Sequence, residues 1–227
     1  MSSVADALTR SIQHRQAGRL VEAEAVLRHA LVVDPANAQL LFQLGLVALT
    51  AGRYPQAVAW LEQAAEREPA PASFHANLAE AYRLCGDFDD AVRANRRALL
   101  IDPRLHTARV NLALAYQAQG NLPEAEQCLR DVLTERPNDL QPNLVLGSVL
   151  YAAGRAAEAE LFLRQAVALA PADGLAQVHL GLALEAQQRF DEARAAYETA
   201  LAINPRVPAA HNNLGNLWRE QRRPQAG

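Results

Sequence analysis

Six prolines, Pro35, Pro69, Pro103, Pro137, Pro171 and Pro205, stand 34 residues apart without a slip. A strict period of this size means that each unit is one supersecondary element that buries its apolar face only against its neighbours. The period therefore replaces any count of globular domains drawn from the length of 227 residues. With proline at position 32, residues 4–37, 38–71, 72–105, 106–139, 140–173 and 174–207 form six full units of a single array. Residues 208–227 form a partial seventh unit or a capping helix.

Other positions keep the same beat. Position 20 is Ala23, Ala57, Ala91, Ala125, Ala159 and Ala193, and position 8 is small in Ser11, Gly45, Ala79, Ala113, Gly147, Gly181 and Gly215. Small residues at fixed points let two helices approach closely, toward the short end of the roughly 8–10 Å interaxial range. Gly18, Gly52, Gly86, Gly120 and Gly154 at position 15 end a first helix, and Gln188 replaces that glycine in the sixth unit. Pro55 and Pro123 then fall just inside a second helix, where a missing N–H does no harm. The turn acids Asp89, Asp90, Glu158, Asp191 and Glu192 complement helix N-termini rather than form catalytic pairs. The first unit departs from the beat: Arg10 stands where later units have leucine, which suits a terminal unit with a polar outer side.

Half the residues are hydrophobic and 21% are charged, enough burial to exclude disorder. A net charge of −3 argues against a dedicated nucleic-acid binder. All 22 basic residues are arginine, as the codon bias of a GC-rich bacterial genome gives. Arg93, Arg96 and Arg97 read as a solvated helix face without interleaved aromatics. Cys85 and Cys128 have no metal-ligand spacing and read as free thiols of a reducing compartment. No apolar run nears the ~18 residues that a membrane span needs, so the expected location is cytoplasmic. The six histidines have no ligand spacing, and phosphate-binding or nucleophile-elbow motifs are missing. No catalytic residue, metal site or cofactor is expected.

The small–Gly–Ala–Ala–Pro skeleton, with Tyr54, Phe88 and Phe190 after the turn, resembles the tetratricopeptide repeat (TPR) family over essentially the whole chain. Two departures stand out. Position 4, bulky and aromatic in that family, is Ala7, Leu41, His75, Arg109, Asn143, Gln177 and His211, and Asn95 takes a usually large apolar place. The resemblance implies an all-α fold, a right-handed superhelix of helix–turn–helix repeats whose first helices line a concave groove for partner segments.

The groove positions of the family, carried onto this chain, select an apolar stripe of Phe42, Leu46, Leu49, Val110, Leu114, Leu144, Tyr151, Val178 and Leu182. Positions 5 and 9 are one turn apart and face the same way. These residues read either as a groove for apolar side chains of a peptide or as contacts between neighbouring first helices. A polar row accompanies them: Gln43, Asn77, Asn111, His179 and Asn213, with Glu80, Arg83 and Gln117 alongside. A row of side-chain amides can both donate to and accept from an extended backbone. Similar rows occur in the TPR arms of O-linked N-acetylglucosamine transferases, so the alternative to a protein-binding scaffold is the substrate-recruiting arm of a larger, bacterial glycosyltransferase-like enzyme. A carboxylate clamp is not expected, since position 5 is nowhere basic. The array breaks off in its seventh unit, which reads as a fragment of a longer protein or an open end through which copies self-associate.

Overall fold

The computed structural model describes residues 3–67 and 69–221, with the side chains of residues 220 and 221 left aside. Among the described residues the chain is all-α. In order, the helices are α1 (Val4–Gln16), α2 (Leu20–Val33), α3 (Ala38–Thr50), α4 (Tyr54–Ala65), α5 (Ala72–Cys85), α6 (Phe88–Ile101) and α7 (His106–Gln119). They continue with α8 (Leu122–Glu135), α9 (Leu140–Ala152), α10 (Ala156–Leu169), α11 (Gly174–Ala186), α12 (Phe190–Ile203) and α13 (Pro208–Gln221). Each 34-residue unit thus holds one helix pair. The chain forms two compact units, Met1–Gln119 with α1 to α7 and Gly120–Gly227 with α8 to α13. In the first, α1, α3, α5 and α7 pack side by side, and in the second α9, α11 and α13 do. We call these the inner rows.

Local chemistry starts and stops the helices. Ser3 and Asp6 form a reciprocal capping box on α1, Asn37 caps α3 through the Leu40 N–H, and Asp173 caps α11. Pro55 and Pro123 occupy the first turns of α4 and α8. Gly86 ends α5 at φ +89°, and Gln188 is forced to φ +62° at the equivalent place, a strain of up to about 1 kcal/mol relative to glycine.

The periodic prolines act also as acceptors. The Asn143 amide donates to the Pro137 carbonyl at 2.9 Å, the Arg109 guanidinium to Pro103 at 2.7 Å, and a ring nitrogen of His211 lies 2.9 Å from the Pro205 carbonyl. At Arg109, Asn143 and His211, position 4 therefore departs from the bulky family residue because it ties the first helix to the loop before it. Position 7 packs as leucine wherever a second helix precedes it: Leu44, Leu78, Leu146, Leu180 and Leu214 are buried. Arg10 is exposed together with Asp6 and Gln13, so this side of α1 is polar.

Neighbouring repeats are joined by two kinds of polar contact that the sequence reading missed. At one kind, the arginine of a turn reaches the glutamate of the preceding second helix: Arg53–Glu24 at 2.6 Å, Arg155–Glu126 at 2.5 Å and Arg189–Glu160 at 2.6 Å. Each glutamate also holds an arginine one turn along its own helix, Arg28, Arg130 or Arg164. The arginines hold these carboxyls below the usual range. For Glu24 the Arg53 bond is the largest cause, whereas at Glu126 and Glu160 burial opposes the charge and the hydrogen bonds outweigh it. The other kind uses a tyrosine of a first helix. Tyr82 donates to Glu62 at 2.5 Å, and Tyr116 accepts from Arg96 at 2.6 Å. Burial, then Glu62, pushes the Tyr82 hydroxyl far above its ordinary pKa.

The turn acids Glu158 and Glu192 accordingly do more than face a helix N-terminus, since Arg155 and Arg189 grip them at 2.7 Å. Arg93, Arg96 and Arg97 on α6 are exposed, as a solvated face requires, but the patch is not without an aromatic. Arg96 lies 5.9 Å from the Tyr116 ring centroid besides bonding its hydroxyl, and Arg93 pairs with Asp90. An aromatic does accompany these arginines, on the neighbouring helix, where the local sequence does not show it.

Candidate partner-binding surface

Along each first helix of the inner rows, sidedness follows from the 3.6-residue turn. Positions 3, 7 and 10 turn toward a preceding second helix, as Leu40, Leu44 and Val47 do against Ala23 and Leu27. On α3, position 5 turns toward the next first helix. The Phe42 and Phe74 rings stack with centroids 4.2 Å apart and planes 9° from parallel, and this stack fuses α3 to α5. Positions 9 and 12 are half-exposed on the first helices α1 to α11, and position 2, as in Gln39, Ser73, Thr107, Gln141 and Leu175, is exposed.

This geometry splits the expected stripe. Phe42, Gln43, Val110 and Val178 are less than a tenth exposed, so these four are inter-repeat core and not surface available to a partner. The reason is the packing of first helices against each other, which a period alone does not resolve. In the first unit, Leu46, Leu49, Asn77, Glu80, Arg83, Asn111, Leu114 and Gln117 are half-buried on the inner row. In the second, Leu144, Tyr151, His179, Leu182 and Asn213 are.

Several polar members are already engaged. The Asn77 amide donates to Ser73 O of its own helix at 2.8 Å, so the expected amide row is not a continuous set of free groups. Arg83 and Glu80 form a two-point ion pair at 2.6 and 2.8 Å, and this bond keeps the Arg83 pKa above its ordinary value. Burial lowers the His179 pKa, with Asp173 opposing, so its ring is neutral at pH 7. In the second unit the Tyr197 hydroxyl donates to Glu185 Oε2 at 2.7 Å, an acid absent from the expected surface residues. Tyr197 sits where four other second helices carry leucine and α6 carries Asn95, and that break in the beat was the signal for it.

A separate cleft of about 740 Å³ lies between two inter-repeat loops of the second unit, lined by Pro171, Leu175, Ile203 and Val207 among others. It belongs to the loop edge and not to the inner row. No group of three or more His, Cys, Asp or Glu suited to a metal ion occurs among the described residues, and no helix there is long and apolar enough to cross a membrane. Neither Cys85 nor Cys128 is in a disulfide, and burial raises the pKa of Cys85.

Helix pairs stacked at a fixed period define the α-solenoid class of repeat protein. The chain belongs to the tetratricopeptide repeat family: residues 8–67, 42–105 and 110–174 match the tetratricopeptide repeat, and residues 181–220 match the TPR repeat. No curated protein matches it. Among solved structures, a chain of the APC/C hetero-tetramer Cut9–Hcn1 superposes with a TM-score of 0.82 at 15% identity over 93% of this chain. The present chain spans only 42% of that one. PilW, a widely conserved type IV pilus biogenesis factor, gives 0.81 at 18% identity over 94% of this chain and all of its own. A thermophilic TPR protein of Thermus thermophilus, TTC0263, gives 0.69 at 24% identity, covering 81% and 100% of the two chains. At these identities the likeness is one of fold.

Proposed function

We propose that this protein is a non-catalytic scaffold, acting in the cytoplasm, that binds a segment of a partner protein along its inner rows. The observation that carries this reading is the contrast within single helices. On α7, Leu112 and Val110 are spent on packing, while Leu114, one turn from Val110, stays half-exposed on the inner row. In the second unit, Val178 and Leu182 repeat that pattern, and Leu144 and Tyr151 are half-exposed beside them. Half-exposed leucines in register along packed helices offer apolar seats to alternate side chains of a peptide. The superposition on Cut9, which forms a complex with Hcn1, supports a role in association.

The test is a peptide-array screen of the full chain against a Leu46→Glu/Leu114→Glu variant and a Leu144→Glu/Leu182→Glu variant. Phe42 is unsuitable, because a charge inside the Phe42–Phe74 stack would break the fold and not report on binding. Captured peptides should be lost with at least one variant whose helicity is unchanged. Identical peptide sets from all three proteins would refute the assignment.

A further inference from the structure

In the second helices, position 24 is Leu27, Leu61, Leu129 and Leu163, but Asn95 in the third repeat and Tyr197 in the sixth. The last exchange is costly to arrange. Tyr197 is completely buried, and its ring lies so close to Gly181 that a Cβ there would meet Cε1 at 2.4 Å. The phenol passes over that glycine from α12 and reaches Glu185 of α11. Its hydroxyl donates to Glu185 Oε2 at 2.7 Å. Two helices thus cooperate to orient one carboxylate.

That carboxylate differs from its counterparts. Glu80, in the inner row of the first unit, is neutralised by Arg83, and the inter-repeat glutamates Glu24, Glu126 and Glu160 each hold two arginines. Among the described residues no guanidinium pairs with Glu185. It stands one turn beyond Leu182 on the same helix face, and Tyr151, at the same repeat position on α9, is half-exposed on the same inner row. A fixed, uncompensated acid within an apolar strip is the complement of one cation flanked by apolar side chains.

Building on the inner-row reading above, we propose that Glu185, held by Tyr197, is the anchor for an arginine or lysine side chain of the bound segment, with Leu182 and Tyr151 taking its apolar neighbours. An oriented carboxylate makes charge-assisted hydrogen bonds to an incoming cation without first losing side-chain freedom. Tyr197 is a positioning residue, and Glu185 makes the contact.

The probe is a displayed library of random 12-residue peptides, selected on the full chain and on Glu185→Gln, Tyr197→Phe and Leu144→Glu/Leu182→Glu variants. Circular dichroism checks the fold of each. Glutamine keeps an acceptor for Tyr197 and removes only the charge. Peptides enriched by the wild type should carry an arginine or lysine next to apolar residues. Resynthesised, they should lose about tenfold or more in affinity on Glu185→Gln, as expected for one charge-assisted bond, and a similar factor when citrulline replaces their arginine. Tyr197→Phe should weaken the same peptides less. Winners without a cation, or unchanged affinity on Glu185→Gln, would sink the anchor while leaving inner-row binding intact. Enrichment that is the same on Leu144→Glu/Leu182→Glu would sink inner-row binding in this unit, and the anchor with it.

Discussion

Gly45 and Leu61 meet more closely than any other residue at position 45 would permit: a Cβ on Gly45 would lie 2.4 Å from Leu61 Cγ. Gly147 and Leu163 repeat the relationship at 2.5 Å. The first helix of a repeat thus touches its second helix backbone against side chain, and the small residue at position 8 is a packing requirement and not a helix preference.

Alanine at Gly45 or Gly147 should therefore destabilise the protein. Helix propensity alone favours alanine by up to ~1 kcal/mol, but overpacking a buried contact costs about 1–3 kcal/mol and wins. Gly215 is the internal control, because a Cβ there meets nothing within 4 Å. Gly215→Ala should hold or raise the thermal midpoint, whereas Gly45→Ala and Gly147→Ala lower it. Equal midpoints for the three variants would contradict the packing account.

Asn95 is the weak point of the third repeat. It is completely buried at the position of Leu61 and Leu163, and neither of its amide atoms has a hydrogen-bond partner. Around it, α5, α6 and α7 meet through alanines, Ala72, Ala76, Ala98 and Ala108, which bury less apolar area than the leucines of other joints. An unsatisfied buried amide costs about 1–3 kcal/mol. Asn95→Leu should recover a gain of that order in urea unfolding, since Ser11 shows that a small side chain at position 8 tolerates a leucine opposite it in Leu27. Amide exchange in α6 should slow in the variant. A midpoint equal to or below wild type would show that the amide is satisfied.

Acid should loosen the glutamate–arginine joints. The folded pKa values of Glu24, Glu126 and Glu160 lie below their ordinary value of 4.5. A depressed carboxyl pKa contributes stability that is fully present above about pH 4.5 and is lost as pH falls through the lower folded value. The thermal midpoint should be flat from pH 7 to 5 and fall below that. In the triple variant Arg53→Gln/Arg155→Gln/Arg189→Gln the fall should be shallower. Parallel pH curves for the two proteins would remove these joints from the stability account.

The inner rows were only half legible in the chain. Positions 5 and 9 share a helix face, and nothing in their spacing separates Val110 from Leu114. The separation comes only with packing, which buries Val110 and leaves Leu114 half-exposed. The same limit hid the polar joints, because Arg189 and Glu160 are 29 residues apart and meet only when repeats stack. Glu185 reads from its repeat position as an inward charge, but its tie to Tyr197 over Gly181 does not show in the sequence.

By itself the sequence determined the helix pairs, their boundaries and the all-α repeat fold, because capping residues, turn glycines and small packing positions act within one unit and recur at one period. The tertiary structure alone decided which side chains are spent between repeats and which face outward. Those outcomes depend on contacts between residues about one repeat apart, and the same residue type is buried or presented according to the helix beside it.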